Sequence, residues 1–220
     1  MPLDAAGHEF LEPFIELQGE RRAFWLRRPK AIGARFLIAR QGTVVPSHHR
    51  NRNVIFLDVD GAFGTGGHGT TEGCLISLER AIAGGEMVLD VGTGTGILAI
   101  AAYKLGAAHV VAVDIDRAAC RETERNLAIN GIGSGIVVME GGVGSADGRF
   151  DIVIANLRTP VLLGLTDELI GKLNPKGVAI LSGIMEVELH PFLAFLDDYH
   201  MELLNIQRIR GWMTVALENE

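Results

Sequence analysis

From Glu86 to the last residues, apolar positions come in two alternating rhythms. Short unbroken runs have the length and branching of buried strands: MVLDVG (87–92), HVVAVDID (109–116), GIVVME (135–140), FDIVIAN (150–156) and VAILSGI (178–184). Between them lie longer stretches with helical spacing. TGILAIAAYKLGA (95–107) closes at Gly106 as a C-cap, and RAACRETERNLAING (117–131) is a polar-faced helix ending at Asn130-Gly131. VLLGLTDELIGKL (161–173) precedes a break at Pro175-Lys176-Gly177, and a last helix is predicted within EVELHPFLAFLDDY (186–199), with Pro191 at a boundary or kink. MELLNIQRIR (201–210) and WMTVALEN (212–219) read as strands joined by a tight turn at Gly211. Strands that are apolar throughout, alternating with helices, predict a mostly parallel sheet covered on both faces. The expected fold is a Rossmann-like, doubly wound α/β sheet of seven strands, with the closing hairpin inserting one antiparallel strand.

Ahead of this run, NVIFLDVD (53–60) reads as a strand and TTEGCLISLERAIA (70–83) as a helix covering the sheet. Residues 1–52 are poorly periodic, with ARFLIAR (34–40) the one clear strand. The expected organisation is a short extension over 1–52 and one domain over 53–220. Charge sharpens this division: residues 1–52 hold nine Lys/Arg against five Asp/Glu, while the whole chain is at −7. An acidic body argues against direct nucleic-acid binding, which needs a basic groove. Cys74 and Cys120 stand far apart in apolar contexts and read as buried thiols. No histidine spacing suits a metal, no leader pattern opens the chain, and no apolar run approaches the ~20 residues that span a bilayer. A cytoplasmic location is expected.

FGTGGHGTT, residues 63–71, nearly copies the phosphate loop G-x-x-x-x-G-K-[ST], with Thr70 in the lysine position. A triphosphatase using it has no charge for the terminal phosphates and leaves DVGTGTG (90–96) unexplained. There the glycines fall at 92, 94 and 96, whereas the dinucleotide fingerprint needs its third glycine where Ile97 stands. Asp90 is unfavourable for a diphosphate and favourable for a cation. Asp114 ends the next strand, where a carboxylate accepts hydrogen bonds from ribose hydroxyls. Glycines for close backbone approach, a carboxylate near a positive ligand and a ribose-binding acid together describe an S-adenosylmethionine site. Asn156 ends the FDIVIAN strand, facing the expected position of the methyl group. Amino-methyltransferases often carry an Asn-Pro-Pro-aromatic loop here; this chain has Asn156-Leu157-Arg158, and asparagine is equally a common strand-ending turn residue.

LDVDGAFGTGGHGTT (57–71) closely resembles the ribosomal protein L11 methyltransferase pattern, roughly LDPG-x-AFGTG-x-H-x-TT. The likeness continues through DVGTGTGILAIAAYKLGA, DIDRAACRETERNLAING, FDIVIANL, LSGI and Trp212. It implies a class I methyltransferase fold and an S-adenosylmethionine-dependent enzyme that methylates lysine side-chain or N-terminal amines of a protein, ribosomal protein L11 or a related target. Carried over position by position, it implies cofactor contacts at Thr71, Gly92, Asp114 and Asn156. Gly94 and Gly96 complete the glycine loop, Phe63 forms a wall, and Asn156 orients the amine. Val59-Asp60 replaces the family's Pro-Gly. Family members also carry an N-terminal ferredoxin-like domain that grips the ribosomal protein, and residues 1–52 look too short and irregular to supply it. A small-molecule methyltransferase and a non-catalytic S-adenosylmethionine-binding module therefore stand as alternatives. The role of His68, structural or lining the substrate channel, stays open, as does the oligomeric state.

Overall fold

A computed structural model of the protein describes residues 16–17, 20–21, 29–58 and 66–220. Near its start, β1 (Glu16–Leu17) and β2 (Glu20–Arg21) pair antiparallel. A three-stranded sheet follows from β3 (Lys30–Ile32), β4 (Phe36–Arg40) and β5 (Asn53–Leu57), in which β4 runs antiparallel to β3 and parallel to β5. The strand expected from ARFLIAR is β4. The β4–β5 pairing spans the junction between residues 52 and 53, so the small sheet is built from both sides of it.

The rest alternates as the apolar rhythm predicts: α1 (Gly69–Ala81), β6 (Met87–Val91), α2 (Ile97–Leu105), β7 (His109–Asp114), α3 (Arg117–Ile129), β8 (Ile136–Glu140), β9 (Phe150–Asn156), α4 (Thr159–Gly171), β10 (Leu173–Met185), α5 (Leu189–Leu196), β11 (Met201–Ile209) and β12 (Trp212–Asn219). Seven of these strands form one sheet in the order β11-β12-β10-β9-β6-β7-β8. Neighbours from β10 to β8 are parallel, and β12 lies antiparallel between β10 and β11. Arg210 and Gly211 turn the hairpin with φ of +50° and +78°. The mirror-image turn this implies matches the right-handed twist of the two strands.

Strand alternation sends side chains to two cores. Val88, Val110, Ile152 and Ile180 face α1, α2 and α3, where Phe36, Ile38 and Ile55 of the small sheet join the same cluster. Leu89, Val111, Val153 and Leu181 face Leu162 and Leu169 of α4 and Phe192 and Leu196 of α5. Each fully buried side chain of this size contributes roughly 1.5–3 kcal/mol relative to exposure.

Of two punctuation marks, the first departs from expectation and the second, Pro191, falls at a helix boundary as expected. The Pro175-Lys176-Gly177 break falls inside β10 as an irregularity. Pairing passes from Leu173 opposite Phe150 to Val178 opposite Ile152, and Lys176 takes a φ of +61°. Pro191 lies in the first turn of α5, where the lost N–H has no intrahelical partner to miss. Cys74 and Cys120 are both buried free thiols. Among the described residues no helix is long and apolar enough to cross a membrane.

Candidate functional site

From β6 the chain winds outward through β7 and β8, then returns to place β9 on the other side of β6. The connections leaving the carboxyl ends of β6 and β9 therefore diverge, which opens a crevice at that switch point. Four sequence-predicted residues sit on this rim: Gly92, Gly94 and Gly96 after β6, and Asn156 at the end of β9. Asp114 ends the adjacent β7.

The glycine turn is tight. Gly92, Gly94 and Gly96 take φ of +73°, +58° and +79°, a region costly for any residue with a Cβ. Side chains here would also force neighbours to shift: a Cβ on Gly92 meets Leu157 Cδ2 at 2.6 Å, and one on Gly96 meets Thr123 Cγ2 at 2.7 Å. The N–H groups of Gly92 and Thr93 donate to the Val113 carbonyl at 2.9 and 3.1 Å, holding the turn against β7. Asp114 fastens it from the side, accepting from Gly94 N–H at 3.0 Å on Oδ2 and from Asp116 N–H at 2.9 Å on Oδ1. Each carboxylate oxygen keeps a further lone pair. Next to it Ile115 is 83% exposed, an apolar surface that burial logic alone does not explain.

Asp90 lies beneath the turn, 1% exposed. Its Oδ2 accepts from Thr93 Oγ1 at 2.7 Å and from the Ala99 N–H at 3.2 Å. Because Gly96, the N-cap of α2, has no side chain to offer, Asp90 supplies the capping carboxylate instead. The positive end of α2, which holds the pyrophosphate in dinucleotide sites, is thereby neutralised from within. Burial raises the Asp90 carboxyl to about 7; the two hydrogen bonds pull it down and the charge on Asp114 pushes it further up. A carboxyl raised on folding stabilises the fold most when protonated, so that contribution is lost as pH climbs from the ordinary carboxylate range through about 7. Asp90→Asn keeps an acceptor and removes the charge. Its melting temperature should gain on that of the native chain between pH 5 and pH 8, by an amount reflecting at most roughly 3 kcal/mol. Parallel melting curves across that range check it; a constant offset rules it out.

Asn156 is half-buried, and its Nδ2 donates to Thr71 Oγ1 at 3.5 Å, the outer limit of a hydrogen bond. Thr71, in the first turn of α1, is fully buried and meets the rim through this contact. The adjacent Ser182 Oγ shares a hydrogen bond with Thr214 Oγ1 at 2.7 Å. His68 caps α1, its Nδ1 accepting from Thr70 N–H at 3.4 Å, and its ring lies 4.7 Å from that of Trp212. Beside them Glu72 pairs with Lys30 at 3.0 Å and Arg210 at 2.6 Å. Phe63 lies outside the described residues.

Three neighbours escaped the sequence reading. Leu157 covers Gly92; Gly183, with φ of +94°, lets β10 approach the Leu157 backbone; and Thr123 donates to the Gly94 carbonyl at 2.9 Å. Only Gly183 carried a visible signal, a glycine inside the strand-like run LSGI.

Residues 21–220 match the family model described as ribosomal protein L11 methyltransferase (PrmA). The chain belongs to that family. Among relatives named ribosomal protein L11 methyltransferase, that of Pelotomaculum thermopropionicum is 46% identical over 164 residues, covering 74% of this chain and 53% of the relative. That of Halalkalibacterium halodurans is 30% identical over 219 residues, covering 97% and 69%. The chain thus spans about half the length of the curated relatives it matches first. The crystal structure of the ribosomal protein L11 methylase from Lactobacillus delbrueckii subsp. bulgaricus superposes with a TM-score of 0.81 at 32% identity, covering 87% of this chain and 99% of that one. The fold is accordingly that of the class I methyltransferases, as the resemblance implied, built on the doubly wound sheet that the alternation of strands and helices predicted.

Proposed function

We propose that the chain is an S-adenosylmethionine-dependent methyltransferase acting on amines of a protein, lysine side chains or an N-terminus, with ribosomal protein L11 or a related protein as acceptor. Residues 53–220 form the transferring unit, and residues 1–52 an extension from which β3 and β4 join β5 in the small sheet. The observation that carries the reading is the meeting of the glycine turn, Asp114 and Asn156 at one switch point in a chain of this family.

The residues suit the cofactor. Gly92, Gly94 and Gly96 leave backbone open to its methionine end, and the spare lone pairs of Asp114 suit two ribose hydroxyls. Ile115 offers an apolar face to a purine. Asp90 places a carboxyl under the turn, which suits a sulfonium and disfavours a diphosphate. Phe63 is retained as a wall of the site on the strength of the sequence. When bound, S-adenosylmethionine supplies a methyl group already activated by positive charge.

The protein's own work is positioning and desolvation. An in-line displacement gains several kcal/mol from alignment alone. Thr71 Oγ1 engages the Nδ2 end of Asn156, so Oδ1 is the acceptor that end leaves for an amine N–H. An amine so held points its lone pair along the transfer axis. Removal from water favours the neutral amine, the form that has a lone pair to give.

Incubation with methyl-labelled S-adenosylmethionine and ribosomal proteins tests the function, with label expected on amines of a ribosomal protein. Label confined to small molecules, or absent although the cofactor binds, overturns it. Asn156→Ala should lower turnover by about 10- to 100-fold, the loss of one or two neutral hydrogen bonds made at the reacting amine. Its cofactor affinity should fall by less than its turnover, by no more than about tenfold for the one cofactor contact the resemblance implies, which a titration calorimeter resolves. Full turnover in that variant removes Asn156 from the mechanism.

A further inference from the structure

The buried face of α3 reads the backbone of two other segments. Thr123 Oγ1 donates to the Gly94 carbonyl at 2.9 Å, and one turn on, Asn126 Nδ2 donates to the Thr95 carbonyl at 2.9 Å. The other end of the same amide, Asn126 Oδ1, accepts from Asp58 N–H at 2.9 Å, just past the end of β5. Four residues further along, Asn130 pairs with Phe56 as a peptide group does, Oδ1 accepting from its N–H at 3.0 Å and Nδ2 donating to its carbonyl at 2.7 Å. β5 is an edge strand of the small sheet, and Asn130 pairs that edge at Phe56.

The two asparagines therefore differ in one respect. Asn130 bonds β5 and its own helix, whereas Asn126 joins β5 to the glycine turn. Asn126 is 0% exposed, and its one amide plane fixes both partners at once. A turn with three positive-φ glycines has little intrinsic preference for one shape, so its geometry is set by what grips its carbonyls.

We propose that Asn126 is a positioning residue for the cofactor turn: its side chain locks the Thr95 carbonyl to the end of β5, so the turn and the small sheet hold one geometry. The proposal rests on the cofactor reading above, and its test separates the two. Titration of S-adenosylmethionine should show about tenfold weaker binding for Asn126→Ala and a change within about twofold for Asn130→Ala. Asn126→Asp keeps the acceptor for Asp58 N–H but turns a carboxylate on the Thr95 carbonyl. It should therefore weaken binding at least as much while Asp58 N–H stays protected from hydrogen exchange; it also serves if the alanine variant does not fold. Equal losses in Asn126→Ala and Asn130→Ala overturn the proposal, since a general loosening of α3 predicts them.

A ligand-free measurement stands beside this. Gly94→Ala strains the turn at its φ of +58° and should accelerate exchange of the Asp58 amide about tenfold in the native background. In an Asn126→Ala background the same turn substitution should leave Asp58 unaltered. Acceleration by the same factor in both backgrounds overturns the clamp. If the native chain binds no S-adenosylmethionine, the cofactor reading fails and this cycle decides the clamp alone.

Discussion

Asp114→Ala weakens binding of S-adenosylmethionine by at least about 100-fold, the largest single loss expected at the site. Two charge-assisted hydrogen bonds to ribose hydroxyls, each contributing roughly 1.5–3 kcal/mol, account for most of it. The remainder comes from the turn. Asp114 Oδ2 is the acceptor for the Gly94 N–H, and Oδ1 for the Asp116 N–H at the start of α3. Alanine leaves both donors unpartnered and the turn less defined before any ligand arrives. Asp114→Asn separates the two contributions. Its one carbonyl oxygen keeps one of these bonds, its amide cannot accept, and the net charge is gone, so affinity should fall between the native and alanine values. Calorimetric titration measures all three. An unchanged affinity in Asp114→Ala removes the ribose assignment, and with it the main support for the cofactor reading.

The parts of this site that the sequence displayed are those whose chemistry is local. Gly92, Gly94 and Gly96 were legible because a turn needing positive φ at alternate residues selects glycine whatever surrounds it. Asp114 was legible because strand length fixes where β7 ends. Asp90 stood out as a carboxylate just before the turn, but its place did not. Rather than facing a ligand openly, it lies buried and caps α2 in place of the side chain Gly96 lacks. Residues whose role depends on a partner far along the chain stayed hidden. Asn126 looked like the polar face of a surface helix and Asn130 like its end, yet Asn126 meets the residue just past β5, 68 positions away. The small sheet was half visible for the same reason, since β3 is only three residues long and is defined by its pairing with β4. His68 showed as a family landmark; only the coordinates give it the N-cap of α1 and a ring contact with Trp212. Periodicity reports which face of an element is buried and nothing of what that face touches.

Gly183→Ala should cost the fold roughly 3–5 kcal/mol, an effect on the scale reserved for steric conflict in a packed core. Gly183 sits at the bulge between Ser182 and Ile184, where β10 leaves its regular pairing with β12. Its φ of +94° is one that alanine adopts only under strain. Worse, an added Cβ overlaps the Leu157 carbonyl oxygen and lies 2.6 Å from the Leu157 carbonyl carbon, both backbone atoms that no rotamer change can move. Relief requires β10 to shift away from the segment after β9. That segment is held in place by the Leu157 N–H donating to the Ser182 carbonyl at 3.0 Å, immediately before the bulge. Any shift therefore passes to Asn156, one residue earlier and paired with Ser182 across the sheet. The expected result is a melting temperature lowered by about 10 °C or more for a chain of this size, with turnover reduced further than the unfolded fraction explains. Thermal denaturation followed by circular dichroism measures the first, and turnover at a temperature well below the transition the second. Retained stability with native turnover means that β10 and the Leu157 segment can part without cost, and that the close approach at Gly183 does not position Asn156.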